Sequence, residues 1–386
     1  MERLPPALLE DWMRDYYFDV EIDIGSSGVE DYSLSELRHL LGIAPEELDG
    51  IVFHDSRTLG GPEVRRAIAE RWAGGQVERV IVTHGATEAN FLTMNALLER
   101  DDEIVVLDPL YQQLHSIAET IGCRLVRWPL RFEEGFVPDL DVARRLIGPR
   151  TRMVVVNFPH NPTGATMTPD QQRELIELCA RCGAYLVWDM AFADLIYDGS
   201  PLPDSGLFYE RAVSMGTLSK AYGLPGLRLG WCLAHPDVLQ RFIRIRDYLT
   251  LHLSPLVEMI AERAIRGGDL LLEPRKAQAR KNRDLVERWI IDQQGRVDWV
   301  RPAGGVSAFP RLNGVSDVTD FCRRLSRTER VLLVPGTCFG FPQHVRLGFG
   351  GSTRSVEEGL QRLSGALMGQ GQLAATTVGL NQAPAV

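Results

Sequence analysis

Lysine is almost missing from this chain. Of its 386 residues 42 are Lys or Arg, yet the only lysines are Lys220, Lys276 and Lys281. Arginine keeps its charge at any ordinary pH, whereas a desolvated lysine can lose its proton and act as a nucleophile. A lysine retained among so many arginines therefore invites a chemical reading. Long apolar runs are missing as well. None approaches the ~18 residues of a membrane span, and the N-terminus lacks the basic-then-apolar pattern of a signal segment. Positive charge is in deficit: a net charge of -9 and a pI of about 5.5 argue against a nucleic-acid surface. The six cysteines are scattered, and the one C-x-x-C, Cys179 and Cys182, falls in an amphipathic helical stretch with no second Cys or His pair near it. These thiols read as free core residues, and no metal site is expected. A cytoplasmic protein without nucleic-acid or membrane partners is the expectation.

What is present is a regular alternation. Between Val64 and Ile260 short β-branched runs (Val80–Thr83, Glu103–Leu107, Met153–Asn157, Tyr185–Trp188, Ala212–Ser214, Trp231–Ala234) alternate with helical stretches. That pattern predicts an α/β domain whose mostly parallel sheet is buried on both faces. From about Leu272 a long charged helical stretch leads into further alternating segments, read as a smaller α/β domain. The expected organisation is an N-terminal lid and arm (1–47) joining the small domain, a large domain (48–270), the small C-terminal domain (271–367) and a tail (368–386) whose small and polar residues suggest disorder.

The chemistry centres on Lys220. Thr217 lies three residues before it and Arg228 eight after it, in a glycine-rich loop that can bend both toward one phosphate. A plain solvated turn would look similar, but the rest of the chain supplies what a pyridoxal phosphate (PLP) anchor would still need. Gly85-Ala86-Thr87 follows a strand and opens a helix, where small residues let backbone N–H groups approach a phosphate. Tyr111, at a strand's exit, can lie flat on a pyridine ring. In His160-Asn161-Pro162-Thr163-Gly164, Asn161 can donate to the cofactor's phenolic oxygen, and Asn-Pro is a candidate cis bond that fixes its direction. Asp189 ends a strand, where open α/β sheets bind ligands. Facing the pyridine nitrogen, it would keep that nitrogen protonated and the ring an electron sink.

In this order these residues resemble the fold-type-I PLP enzymes of the class I/II aminotransferase family. The likeness continues through Pro302-Ala303-Gly304-Gly305, Val334-Pro335-Gly336-Thr337 and Val345-Arg346-Leu347-Gly348, covering nearly the whole chain up to the tail. It implies that Lys220 carries the cofactor, Asp189 pairs with the pyridine nitrogen, Asn161 contacts the phenolic oxygen and Tyr111 stacks. Gly85, Ala86, Thr87, Thr217 and Arg228 would form the phosphate cradle, and Arg346 would clamp the substrate carboxylate bidentately. Gly25-Ser26-Ser27-Gly28 matches the family's loop that closes over the substrate, with Ser27 and Gly28 as its substrate contacts. The family is dimeric, so a homodimer is implied.

Two departures bear on the reaction. Phe192 stands where the family usually has a tyrosine whose hydroxyl bonds the phenolic oxygen, which leaves Asn161 as the main partner there. The family's cross-subunit phosphate tyrosine is also missing, and His54, Asp55 and Ser56 occupy its region. Together with the segment Ser26 to Ser33 they resemble a narrower group, the capreomycidine synthases. That likeness implies loss of a β-hydroxyl from an arginine-derived substrate and closure of its guanidine onto Cβ. An aminotransferase using a 2-oxo acid is the alternative. A non-catalytic PLP sensor fused to a DNA-binding domain is disfavoured, because no basic helix-turn-helix pattern precedes the phosphate motif. Glu30, Asp31 and Asp194 are acidic residues near the inferred site segments that could meet a guanidinium.

Overall fold

A computed structural model describes residues 4–379. Its centre is a seven-stranded sheet built from Val80–Thr83 (β1), Glu103–Asp108 (β2), Arg124–Pro129 (β3), Thr151–Asn157 (β4), Tyr185–Asp189 (β5), Ala212–Thr217 (β6) and Gly230–Leu233 (β7). The spatial order is β1-β7-β6-β5-β4-β2-β3, and β7 alone runs against its neighbours. The mostly parallel α/β sheet expected from the alternation is thus present. Helices cover both faces, so most strands are continuous apolar runs; every residue of the inner β5, β6 and β7 is buried, and so is every residue of β1 at the edge.

One strand was not anticipated. β3 lies at the sheet's edge with Arg124 and Arg127 turned to solvent, so its sequence carries no continuous apolar run. Charge on an edge strand discourages pairing with another chain.

Four helices position the site: Leu8–Tyr16 (α1), Gly85–Leu97 (α2), Gly268–Asp292 (α3) and Thr353–Gly379 (α4). α2 starts two residues after β1 ends, which aims its N-terminus at the carboxyl edge of the sheet. Past α3, the strand Val345–Gly348 lies between Ser307–Ala308 and Val334–Pro335 in a small antiparallel sheet. The N-terminal Ile22–Asp23 pairs in parallel with Val331–Leu332, which ties the start of the chain to its last third. α4 continues past Met368, where a disordered tail was expected to begin; Leu, Met, Gln and Ala there are good helix formers. The rest of the expected tail, 380–386, lies outside the described residues.

All six cysteines are free, with Cys179 and Cys182 on the helix Pro169–Cys182, and no metal-ligand cluster occurs among the described residues. No helix among them is long and apolar enough to cross a membrane.

Candidate active site

Where the parallel strands end, a cavity of about 920 Å³ opens between the sheet, α1 and the small antiparallel sheet. Strand register sets its floor. Asn157 at the end of β4 is paired with Asp189 at the end of β5, and Asp189 with Met215 of β6, two residues before Thr217. Lys220 follows on the loop after β6 and enters the same cavity.

One end of the cavity is a built anion cradle. Thr217 donates its hydroxyl to Ser219 Oγ at 2.9 Å, and Arg228 Nη1 reaches the same oxygen at 3.3 Å. Arg228 packs over Gly85, where φ is +71°, and a Cβ at that position would lie 2.7 Å from Arg228 Nη2. Glycine is required at that point, although Gly85 itself does not line the cavity. Ala86 and Thr87 do, at the first turn of α2, where N–H groups lack helical partners. Ser219 was not among the expected cradle residues; its place one residue before the lysine is the signal that could have found it.

Behind the cradle Glu88 clips the loop to the rest of the fold. Its carboxylate accepts the His84 N–H at 2.5 Å and lies 3.4 Å from the fully buried Arg246. Burial works to raise its pKa, but the bonds from His84 and Thr250 and the charge of Arg246 hold it down at about 2. Arg246 in turn donates to the Thr58 and Val82 carbonyls.

The other end holds two titrating groups moved toward neutrality. The Lys220 amine is pushed down to about 8, first by burial and then by the Arg346 guanidinium, against the carboxylates of Glu10 and Asp189. Asp189 is pushed up to about 6, burial outweighing the Ala191 N–H (2.9 Å) and the Lys220 charge. A buried carboxylate with one hydrogen bond facing the cavity suits a cationic ring nitrogen. Lys220 Nζ meets Ser27 Oγ at 3.2 Å, and the Val29 N–H reaches the Lys220 carbonyl at 3.2 Å, so the 25–28 loop sits directly on the lysine. Gly28 and Phe192 also line the cavity, Phe192 without a hydroxyl to offer.

Arg346 and Asn161 act together. Arg346 is 2 % exposed, donates from Nε to the Gly25 carbonyl at 3.0 Å and from Nη1 to Asn161 Oδ1 at 3.3 Å. The second bond turns the Asn161 amide so that its N–H group is available elsewhere. Asn161 is steadied from behind: its N–H bonds Asn157 Oδ1 at 2.8 Å, and the Asn161–Pro162 peptide is cis as anticipated. Next to it His160 bridges Pro109 O (3.0 Å) and Thr163 (2.8 Å), and complete burial pulls its pKa to about 3, so it is a neutral strut.

Tyr111 lines the cavity, and its hydroxyl donates to Glu10 of α1. Glu10 was not foreseen; no local pattern could link a helix residue to a tyrosine 101 positions away. Of the three acidic candidates, Glu30 is paired with Arg275 at 2.8 Å, Asp194 lies outside the cavity beside Arg71 at 3.6 Å, and Asp31 lines the cavity. His54, Asp55 and Ser56 do not reach the cavity of their own chain. Ser56 bonds Glu258 at 2.7 Å and Asp55 meets His252 at 3.1 Å, next to the exposed Val52 and Phe53.

The lysine, the buried carboxylate and the anion cradle fit a phosphate-bearing pyridine aldehyde. The chain is 46% identical over 365 residues to the capreomycidine synthase of Streptomyces vinaceus, covering 94% of each. Its fold is similar to the crystal structure of the PLP-dependent cyclase OrfR, with a TM-score of 0.91, 44% identity, and 96% and 99% of the two chains covered. It is similar too to a PLP-dependent aminotransferase from Streptococcus suis, with a TM-score of 0.90, 30% identity, and 95% and 98% covered. The model of the class I and II aminotransferases matches residues 33–363, and the chain belongs to that family.

Proposed function

We propose that this chain is a PLP-dependent lyase and cyclase, which removes the β-hydroxyl of a hydroxylated arginine as water and bonds a guanidine nitrogen to Cβ. The product is a six-membered cyclic guanidino amino acid of the capreomycidine type, made for antibiotic biosynthesis. What carries the reading is the likeness to the Streptomyces vinaceus enzyme along 94% of both chains.

When bound, PLP supplies an aldehyde that condenses with amines and a protonated ring that takes up the electron pair released at Cα. Lys220 is the residue to hold it, with Ala86, Thr87, Thr217, Ser219 and Arg228 around its phosphate. Asp189 would keep the proton on its ring nitrogen, and Asn161 would donate to its phenolic oxygen. Arg346 takes the substrate carboxylate through its remaining N–H groups. Lys220, with its amine drawn down to about 8, accepts the Cα proton and can return one to the departing hydroxyl. The 25–28 loop and α1 cover this chemistry and keep water from competing with the guanidine. Ring closure is intramolecular, and well-oriented steps of that kind reach effective molarities of ~10⁵ M or more.

The reading includes a cytoplasmic homodimer and a division of the chain near residue 271, with the N-terminal arm joined to the C-terminal part. The Ile22–Val331 pairing supports the joining of the arm, and the exposed apolar residues near Phe53 support the dimer. Mass spectrometry of the product from β-hydroxyarginine, without any oxo acid, is the test: loss of one water with the amino group retained is expected. Accumulation of the 2-oxo acid with pyridoxamine phosphate would hand the reading to an aminotransferase.

A further inference from the structure

The cavity is lined by charges of both signs, and most have a partner. Asp23 takes the N–H groups of Gly25 and Ser26 at 2.8 Å each, and Glu30 is held by Arg275 and Gln278. Glu10 differs. Tyr111 Oη and Gln113 Nε2 (3.3 Å) both donate to its Oε1, and Oε2 has no protein partner among the described residues. The carboxylate is therefore fixed by two neutral donors while its charge is left without a cation. It is only partly exposed and lines the cavity close enough to act on both Lys220 and Arg346.

A half-buried, oriented carboxylate with one vacant oxygen favours a cationic hydrogen-bond donor, because charge-assisted bonds are about twice as strong as neutral ones. Arg346 is engaged at Gly25 and Asn161 and directs its remaining capacity to a ligand carboxylate. A ligand spanning the two would be anionic at one end and cationic at the other. We propose that Glu10 is the specificity-determining residue of this site, receiving the substrate's guanidinium on Oε2 while Tyr111 and Gln113 hold the carboxylate in place. The inference rests on the arginine-derived substrate proposed above.

Calorimetric binding to the borohydride-reduced holoenzyme tests it, with L-arginine and its neutral isostere L-citrulline as the probes. Neither carries a β-hydroxyl, so the result stands whether or not the enzyme is a cyclase. The native enzyme should prefer arginine by about 10- to 100-fold, the range of a hydrogen bond to a charged group. Glu10→Gln should bring the two ligands within about threefold of each other, while Asp31→Asn keeps the preference. Glu10→Asp, which retains the charge at shorter reach, should recover part of it. An unchanged preference in Glu10→Gln, its loss in Asp31→Asn instead, no recovery in Glu10→Asp, or equal binding of both ligands by the native enzyme would each overturn the assignment.

Discussion

At the scale of single residues, Lys220 concentrates the chemistry and also costs the empty fold something. Its amine ordinarily titrates at 10.5 and is drawn down to about 8 in the folded protein. Between those values the unfolded chain binds more protons than the folded one, so stability rises with pH there. Below the folded value the lysine is charged in both states and the burden is complete. Replacing it with an apolar side chain of similar length should therefore help. Lys220→Met in the cofactor-free protein is expected to be more stable at pH 7 by on the order of 2 kcal/mol, a figure reduced because the amine lines an open cavity. The advantage should shrink toward pH 10.5, and urea titrations across that range would show it. A variant less stable than the parent at every pH would contradict this account.

Residue types advertised much of this site in advance. Lys220, Asp189 and Asn161 line one cavity because each stands at the end of a strand or in the loop after it, positions that short apolar runs make readable, and Arg346 joins them from the second residue of the strand Val345–Gly348. Glu10 was invisible for the opposite reason. It sits on an amphipathic helix where a carboxylate looks like any solvated face, and only the packing of α1 over Tyr111 gives it a role. Glu30 looked available and is not, since Arg275 comes from a helix some 245 positions away.

At the scale of elements, the start of α2 depends on Glu88. Its carboxylate, held down at about 2, contributes stability that is present above its ordinary 4.5 and is lost as pH falls through 2. Glu88→Gln removes that charge and takes from the buried Arg246 its ion-pair partner, leaving only the more distant carboxylates of Glu258 and Asp247, a change worth up to roughly 3–5 kcal/mol when such pairs are broken. The expected outcome is a large loss of stability at pH 7 that narrows below pH 4.5, measured by denaturant unfolding at both. PLP should also dissociate more readily, because His84 is no longer tethered in front of the cradle. Equal stability at pH 7 would mean the clip does not fix the loop. Among elements, the inner strands were legible as continuous apolar runs, while β3 was not, since an edge strand bearing Arg124 and Arg127 reads as a polar turn.

At the scale of the whole molecule, the surface around the 52–57 segment carries a group of exposed apolar side chains. Phe53 is 75% exposed and Tyr248 91%, with Val52, Leu249 and Leu251 also open to solvent. Scattered apolar residues are ordinary, but a group of this kind marks an association surface. Obligate interfaces bury more than ~2,000 Å², enough to cover such a group. Light scattering should give a dimer, and Phe53→Asp should shift it toward monomer with loss of PLP and of activity. A fully active monomer would remove the case for a shared site.

The pairing of Ile22–Asp23 with Val331–Leu332 also sets an order of events in the cell. A ribosome extends the chain at about 5–20 residues per second, so the first strand waits many seconds for its partner to be made. The seven-stranded sheet is complete in sequence by Leu233, and its cradle can form while Arg346 is still untranslated. Over that interval the lysine lacks the part of its roof that the 25–28 loop provides. α1 can already meet Tyr111 and Gln113, but the Ile22–Asp23 strand and the Ser27 loop behind it can settle only once the last third has emerged, so the nascent protein presents a half-covered bowl and the finished one a covered site.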